Sequence, residues 1–323
     1  MCCHLRETNG NSFLNTERII VWVGLAALGL GLASAIPRPA GPAAPRLVGA
    51  RPALGKLLFF EPALSVNGKR SCASCHRPEK AFTDHRGTPR ALRFAGNLRR
   101  NSPTILNAAG QARYFHDGRA GSLDAVIAAV LTSPDEFGSS YALATERLSG
   151  SPGYRRLFRR AFGAPISMVT INAALVAYLE QQTATASAYD RARAGGPGLL
   201  PEAAAGATLF AGAAGCAQCH GGLQFRDGQQ HEVAPGQWVK TPTLRNVAVT
   251  MPYRADGGAP TLAAVLADAY HRPLPPQPLG AAQVAQLTAF LGTLTDTTSA
   301  DHRAPAALPR LRALPGRVVG GQY

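Results

Sequence analysis

The stretch Cys72-Ala73-Ser74-Cys75-His76 recurs far down the chain as Cys216-Ala217-Gln218-Cys219-His220. Each pentad predicts covalent attachment of a c-type haem. The two thiols can each add across a vinyl group of the porphyrin, and the histidine after the second thiol can bind the iron from the proximal side. The alternatives are a four-cysteine zinc site or a pair of disulfides, but neither requires a histidine directly after the second cysteine in both places. The sequence therefore predicts two haem c groups, held by Cys72, Cys75 and His76 and by Cys216, Cys219 and His220.

The composition allows a substantial buried core. The chain has 323 residues, of which 46% are hydrophobic and 16% are charged, so its length has room for two domains. The aromatic share is only 7%. Two covalently held porphyrins would supply the flat apolar surface that such a core lacks.

The N-terminus predicts export to the periplasm. The run from Ile19 to Ala35 is almost entirely apolar and ends in Ala33-Ser34-Ala35, so residues 1–35 are interpreted as a signal peptide cleaved after Ala35. Cleavage would remove Cys2 and Cys3 and leave only the four haem thiols. The alternative is an uncleaved membrane anchor, and any contact with a membrane is expected only through this segment.

The formal net charge is +14. Such a charge could steer an acidic redox partner or favour an anionic surface, and it is equally typical of a basic periplasmic protein with no such partner. No nucleic-acid recognition motif accompanies the arginines, so we expect no nucleic-acid partner.

Changes in composition predict the domain boundaries. Residues 36–50 are rich in proline and alanine and are expected to form a tether. An N-terminal domain over 51–195 and a C-terminal domain over 196–300 meet at Gly195-Gly196-Pro197-Gly198. The tail over 301–323 carries arginines among prolines and is predicted to be disordered.

The apolar periodicity predicts a mainly α fold with two cytochrome c-like haem domains and long loops. Ser122 and Thr261 are expected to cap helices, and no long alternating strand pattern appears. Residues 233–258 are expected to be mostly loop. The other predicted helices cover 151–162, 167–189, 201–213 and 280–294.

Several ordered motifs surround the two pentads. They are Leu54-Gly55-Lys56-Leu57-Leu58-Phe59-Phe60, Arg100-Asn101-Ser102-Pro103-Thr104, Phe115-His116-Asp117-Gly118-Arg119-Ala120 and Thr241-Pro242-Thr243-Leu244-Arg245-Asn246. Together the motifs resemble those of the bacterial dihaem cytochrome c peroxidases and their MauG-like relatives. The resemblance extends from about Leu54 to Leu294.

The resemblance implies a division of labour between the haems. The N-terminal haem would meet hydrogen peroxide, and the C-terminal haem would hold or relay oxidising equivalents. The position of the family's distal glutamate corresponds to Glu136, which would act as the general acid and base. A solvated loop acid is the alternative for Glu136. The resemblance also implies one calcium ion, bound by the side chain of Asn101 and the carbonyls of Thr250 and Pro252.

The chain departs from the family pattern at three places. Val126 and His116 stand where the family usually has glutamine and tryptophan. The segment from Thr261 to His271 contains no methionine to serve as the distal ligand of the second haem. Tyr270 is the candidate there, with His271 or no ligand as the alternatives, and an oxygen donor would lower the haem potential. His85, in an arginine-rich loop, is expected to be exposed rather than a ligand.

The leading hypothesis is a periplasmic dihaem peroxidase of the MauG-like type, which passes oxidising equivalents to a protein substrate or a small redox partner. One alternative is a conventional cytochrome c peroxidase that reduces hydrogen peroxide with electrons from an electron-donor protein. The other is a dihaem electron-transfer protein without catalytic activity, which the missing polar partner at Val126 makes plausible.

Overall fold

The fold was analysed in a computed structural model that describes residues 49–92, 96–268 and 278–322. The prediction of a mainly α fold is confirmed. The helices are α1 (Ala50–Phe59), α2 (Leu123–Thr132), α3 (Tyr141–Ser149), α4 (Pro152–Phe162), α5 (Met168–Leu179), α6 (Ala188–Arg193), α7 (Pro201–Ala211), α8 (Leu262–Ala267) and α9 (Ala281–Gly292). A two-stranded sheet consists of β1 (Gln230–Ala234) and β2 (Gln237–Lys240). The predicted signal peptide and most of the tether lie outside the described residues.

Side-chain caps fix the starts of several helices. The hydroxyl of Ser122 accepts a hydrogen bond from the backbone N–H of Ala125 at 3.1 Å, and Thr261 accepts one from Ala264 at 3.1 Å. Such caps satisfy N–H groups that have no partner in the first turn. The predicted caps of α2 and α8 are therefore confirmed.

Helix α5 ends at Leu179, well before the predicted end near Tyr189. The helix ends there because the backbone groups that follow it form hydrogen bonds with Asn107 instead of continuing the helical pattern. The backbone N–H of Ala184 donates to the Asn107 side chain at 2.9 Å, and the N–H of Asn107 donates to the carbonyl of Gln182 at 2.7 Å. A polar partner far away in sequence overrides the helical pattern.

Two helix pairs repeat one packing scheme. Helix α1 crosses α5 at Gly55, where an added Cβ would overlap the carbonyl oxygen of Ala174. Helix α7 crosses α9 at Gly206, where an added Cβ would overlap the carbonyl oxygen of Gln286. Only glycine allows backbones to approach this closely. Each pair places a helix directly before one of the cysteine pentads.

The apolar side chains form two separate clusters. The first contains Leu58, Phe59, Phe82 and Tyr178, with the α1–α5 crossing at its centre. The second is smaller and is built from Phe210, Phe225, Leu287 and Phe290, most of which lie on the α7–α9 pair. The aromatic rings of this second cluster meet edge-on or tilted, with centroids 5.1 to 6.1 Å apart.

Residues 233–258 are mostly loop, as predicted, but the β1–β2 hairpin at the start of this stretch was not predicted. The strands pair antiparallel, with His231 opposite Val239 and Glu232 opposite Trp238. Valine and tryptophan favour strands, and Gly236, with φ of 73°, suits the tight turn between them. The backbone N–H of Lys240 also donates to the carbonyl of His116 at 2.8 Å, which joins the hairpin to the segment before Asp117.

The C-terminal tail is ordered, so the prediction of disorder is wrong over 301–322. Arg317 forms a buried ion pair with Glu61, with its Nε 2.6 Å from the carboxylate, and Tyr154 donates its hydroxyl proton to the same carboxylate at 2.6 Å. Leu311 is only 3% exposed and packs in the first cluster. These contacts hold the tail in place. Composition could not reveal them, because Glu61 lies more than two hundred residues before Arg317.

Candidate haem attachment sites and peroxide pocket

The two cysteine pentads adopt the same backbone structure. Each begins with a 3₁₀ turn, Cys72–Ser74 in the first and Cys216–Gln218 in the second. The backbone N–H of His76 donates to the carbonyl of Cys72 at 2.9 Å, and that of His220 donates to Cys216 at 2.9 Å. This turn holds both thiols and the following imidazole on one short loop.

The two histidines are also oriented in the same way. The ring Nδ1 of His76 lies 3.1 Å from the carbonyl oxygen of Phe82, and that of His220 lies 3.1 Å from the carbonyl oxygen of Phe225. A carbonyl can only accept, so Nδ1 carries the proton and Nε2 keeps its lone pair for a metal. Both phenylalanines have positive φ, 58° and 50°, which turns their carbonyls toward the rings.

The environment of the first cysteine pair also suits a haem. Burial raises the pKa of Cys72 to about 12 and that of Cys75 to about 11. Thiolates are therefore disfavoured there, whereas a thioether carries no charge. The same preference argues against a zinc site, whose cysteine ligands must be thiolates.

The alternatives raised by the four cysteines do not match their positions. No disulfide links the four cysteines in the described part of the chain. Within the described residues, the one grouping with the spacing of a metal site contains a single cysteine, Cys219, with Asp227 and His231. Since Cys219 belongs to the second attachment pentad, this grouping does not constitute a separate zinc site. The two loops fit two haems.

Glu136 lies beside the first attachment loop. Its negative charge contributes to the raised pKa of both Cys72 and Cys75. Burial raises the pKa of the Glu136 carboxyl itself, opposed by a hydrogen bond from Ser133 and by the positive charge of Arg119. A carboxyl of raised pKa is protonated more readily than a free one, which suits a group that must both accept and donate a proton.

Arg70 holds the Glu136 loop in place. Its side chain is 1% exposed, and its Nη1 donates to the carbonyls of Asp135 at 3.2 Å and Glu136 at 3.4 Å. Its Nη2 donates to the carbonyl of Arg90 at 2.6 Å. Because Arg70 stands two residues before Cys72, it ties three loops together next to the first pentad. The sequence analysis missed this role, since its signal is only a single arginine before Ser71.

Helix α2 presents an incomplete apolar surface. Most of its ten residues are apolar, yet only Leu131 is buried. Ile127 and Val130 are partly buried against the first cluster, and Val126 is partly exposed. Apolar surface left open in this way suits a large flat apolar group such as a porphyrin.

His116 lies where the first domain meets the hairpin. Its Nε2 is 2.9 Å from the carbonyl oxygen of Asn101, to which it donates. Burial lowers the pKa of His116, assisted by the nearby charges of Lys240 and Arg100. The imidazole is therefore held neutral and fixed by hydrogen bonds, in the place where the family usually has tryptophan.

The three residues expected to bind calcium come from two neighbouring loops. The backbone N–H of Asn101 donates to the carbonyl of Ala255 at 2.7 Å, which brings Asn101 next to the loop that carries Thr250 and Pro252. The Asn101 amide nitrogen donates to Arg86 and Gly87, which leaves the amide oxygen to face elsewhere. Within the described residues, no donor reaches the carbonyls of Thr250 or Pro252. This set of oxygens fits a hard cation.

Three further residues were considered as haem ligands in the sequence: His85, Tyr270 and His271. His85 is exposed, as expected, and its Nε2 lies 3.0 Å from the carbonyl of Val249. Tyr270 and His271 lie outside the described residues. The carbonyls of Phe82 and Phe225 were missed, although a phenylalanine follows each pentad at nearly the same distance.

The chain is similar to known dihaem proteins. Residues 50–197 match the family described as di-haem cytochrome c peroxidase, and residues 203–295 match the cytochrome c family. The methylamine utilization protein MauG of Methylorubrum extorquens is 38% identical over 255 residues, which cover 72% of this chain and 70% of that protein. The cytochrome c551 peroxidase of Nitrosomonas europaea is 32% identical over 267 residues, covering 75% and 79%.

A solved structure agrees with these matches. The crystal structure of a MauG-like protein associated with microbial copper homeostasis superposes with a TM-score of 0.72 at 28% identity, over 79% of this chain and 93% of that one. Each half of the chain thus carries its own haem-binding domain, and the family implies two haem c groups. The chain belongs to the family of dihaem cytochrome c peroxidases and MauG proteins and is an oxidoreductase of the dihaem peroxidase type.

Proposed function

We propose that this protein reacts with hydrogen peroxide at the haem of its first domain and passes oxidising equivalents through the second haem to a protein substrate or a small redox partner. The observation that carries the proposal is the position of Glu136 beside the Cys72–Cys75 loop, with its carboxyl pKa raised by burial. The acid beside the second pentad, Asp227, differs from Glu136, because it is paired with His231 and its pKa is lowered.

The first haem supplies the iron and the redox chemistry, and the chain supplies orientation and proton transfer. Cys72 and Cys75 would hold the porphyrin. The carbonyl of Phe82 would keep the His76 imidazole in the tautomer that leaves Nε2 for the iron.

Glu136 would move the proton. In the ionised form its carboxylate takes a proton from one oxygen of hydrogen peroxide, and in the protonated form it returns that proton to the departing oxygen. Burial of Glu136 raises its pKa and favours the protonated form, whereas the charges of Arg119 and Arg70 favour the ionised form.

The second haem would be held by Cys216, Cys219 and His220. We propose Tyr270 as its distal ligand, with His271 as the alternative. A tyrosine oxygen stabilises oxidised iron more than a thioether does, so this ligand favours storage of oxidising equivalents. The 38% identity to a MauG protein supports the same choice.

Two further features belong to the proposal. One calcium ion would be bound by the side-chain oxygen of Asn101 and the carbonyls of Thr250 and Pro252. Residues 1–35 would direct the chain to the periplasm and be removed there. In the described residues, no helix is long and apolar enough to cross a membrane.

Electron paramagnetic resonance of the diferric holoenzyme, before and after one equivalent of hydrogen peroxide, tests the proposal. We expect one high-spin and one low-spin haem, both of whose signals disappear with peroxide without prior reduction. Signals that respond to peroxide only after half-reduction would instead establish a conventional cytochrome c peroxidase. The similarity to the Nitrosomonas europaea enzyme supports this second candidate function. Indifference to peroxide in both states would refute catalysis.

A further inference from the structure

Helix α4 carries a row of arginines on its outer surface. Its apolar side is buried, with Tyr154 and Phe158 both fully inaccessible. At 3.6 residues per turn, the four arginines fall within an arc of roughly 140° on the opposite side. All four are exposed: Arg155, Arg156, Arg159 and Arg160.

These charges are not compensated nearby. Arg155 donates to the backbone carbonyl of Ser149. Among the residues that the structure describes, none of the four arginines forms an ion pair with a carboxylate. Between residues 139 and 179 the chain has a single acidic residue, Glu146, which lies on α3. The helix therefore presents net positive charge to its surroundings.

The C-terminal tail extends the same surface. Pro309 packs directly against Gly153 at the start of α4, where an added Cβ would lie 2.9 Å from the proline Cβ. Leu311 anchors the tail in the first cluster, while Arg310 and Arg312 on either side of it are exposed. We call the four arginines of α4 and these two tail arginines the basic face.

The described part of the chain also begins beside the basic face. The Nε of Arg51 donates to the carbonyl of Ala161 at 3.2 Å, and its guanidinium lies 4.8 Å from the centre of the Phe162 ring. The start of α1 is therefore fastened to the end of α4. In the sequence, the apolar run Ile19–Ala35 comes only a short proline- and alanine-rich segment before this point.

We propose that the basic face binds an anionic phospholipid surface. Each arginine close to such a surface raises the affinity roughly fivefold, and the effects multiply while the charges remain within a Debye length.

The composition of α4 favours lipid over an acidic protein. Protein interfaces depend on buried aromatic or aliphatic anchors. The outward side of α4 has none, because the exposed large apolar side chains of the described residues all lie on other segments. A surface of guanidinium groups without apolar anchors matches a layer of phosphate headgroups.

Vesicle binding by the purified holoenzyme tests this proposal. The measured quantity is the ratio of the Kd for phosphatidylcholine vesicles to the Kd for vesicles with about one third phosphatidylglycerol, at low and high salt. The test variant is R155Q/R156Q/R159Q/R160Q. The control, R113Q/R191Q/R193Q/R303Q, removes the same charge from exposed arginines elsewhere. Taking the ratio removes any contribution from a retained apolar segment, which binds both vesicles alike.

We expect the wild type to prefer anionic vesicles at low salt and to lose that preference at high salt. The α4 variant should lose roughly tenfold or more of the preference, and the control should keep most of it. An R155K/R156K/R159K/R160K variant should bind as the wild type does, which separates charge from folding. Equal losses in the α4 variant and the control, or no preference in the wild type, would overturn the proposal. Retention on immobilised polyglutamate without any vesicle preference would assign the face to an acidic protein.

Discussion

The two haem domains share an attachment loop but differ in what surrounds it. Both loops have the same 3₁₀ turn and the same imidazole-to-carbonyl distance of 3.1 Å. The first loop is covered by the tail, where the hydroxyls of Ser71 and Ser74 donate to the carbonyl of Gly320 at 2.8 and 3.1 Å. It also has Glu136 beside it. The difference teaches that the attachment turn is a local property of the pentad, whereas the surroundings of the turn depend on distant segments.

The tail reaches the first histidine as well. His302 donates from Nδ1 to the carbonyl of Pro78 at 2.9 Å, and its ring lies 5.5 Å from the ring of Phe82. Phe82 supplies the carbonyl that orients His76. The C-terminal tail therefore contacts the first attachment site both before and after the pentad.

The largest effect expected is on the first domain alone. Replacing Glu136 with glutamine removes the proton carrier and should slow the reaction with hydrogen peroxide by about 10²- to 10⁴-fold. The rate should also lose its rise with increasing pH, because in the wild type Glu136 must be deprotonated to accept a proton. Stopped-flow absorbance measures both. Asp135→Asn, which removes an adjacent exposed acid, should keep the wild-type rate and profile; matching losses in the two variants would contradict the role of Glu136.

The second-largest effect is expected from a substitution in the C-terminal tail. Arg317→Met leaves the buried Glu61 without its cation and should reduce the free energy of unfolding by about 3–5 kcal/mol. The spectrum of the first haem should change while that of the second stays constant. Denaturant titration and electron paramagnetic resonance follow the two quantities.

The double variant E61Q/R317M is the matched control for this ion pair. With both charges removed, Tyr154 can still donate to the amide oxygen, so most of the lost stability should return. Equal changes in both haems, or no recovery in the double variant, would show that the tail is not specific support for the first domain.

The helix crossings should respond alike in the two domains. Gly55→Ala and Gly206→Ala each place a methyl group against a backbone carbonyl, so each should cost about 3 kcal/mol in the free energy of unfolding. Gly292→Ala, with open space around it at the end of α9, should be neutral or slightly stabilising. A loss of stability in only one of these two variants would show that the crossings share a geometry but not an equal contribution to stability.

The smallest effect is expected where the hairpin meets the first domain. Burial, with the charge of Arg226, lowers the pKa of Lys240 from 10.5 to about 8. In the folded protein Lys240 releases its proton above about 8, whereas in the unfolded chain it keeps the proton up to about 10.5. The unfolded state then binds more protons, so the free energy of unfolding should rise across this pH window, by at most about 3 kcal/mol. In Lys240→Met, thermal unfolding against pH should lose this rise; an unchanged slope would contradict it.

Local patterns were sufficient for most of the helical architecture. Serine and threonine caps at Ser122 and Thr261 mark helix starts because the side-chain oxygen satisfies a nearby N–H group. The end of α5 could not be predicted in this way, since it depends on Asn107, and neither could the hairpin contact between Lys240 and His116.

The candidate site also combines features that the sequence predicts with features that only the structure shows. The repeated pentads alone predicted both attachment loops, because the residues that hold a haem c are adjacent in sequence. Glu136 could be proposed only through the resemblance to a family, and its placement beside Cys72 came from the structure. Arg70 holds the loop that carries Glu136, but nothing in the sequence distinguishes it from the many other arginines of the chain.

The sequence by itself determined the two attachment loops, the helix starts and the division into two similar halves. All of these rest on interactions within a few residues, so composition and spacing are enough to specify them. Only the tertiary structure decided that the tail is ordered, that it covers the first site and not the second, and that α4 presents an unpaired basic face. These depend on a buried ion pair between Glu61 and Arg317 and on packing between distant segments, and such contacts form only when the whole chain is folded.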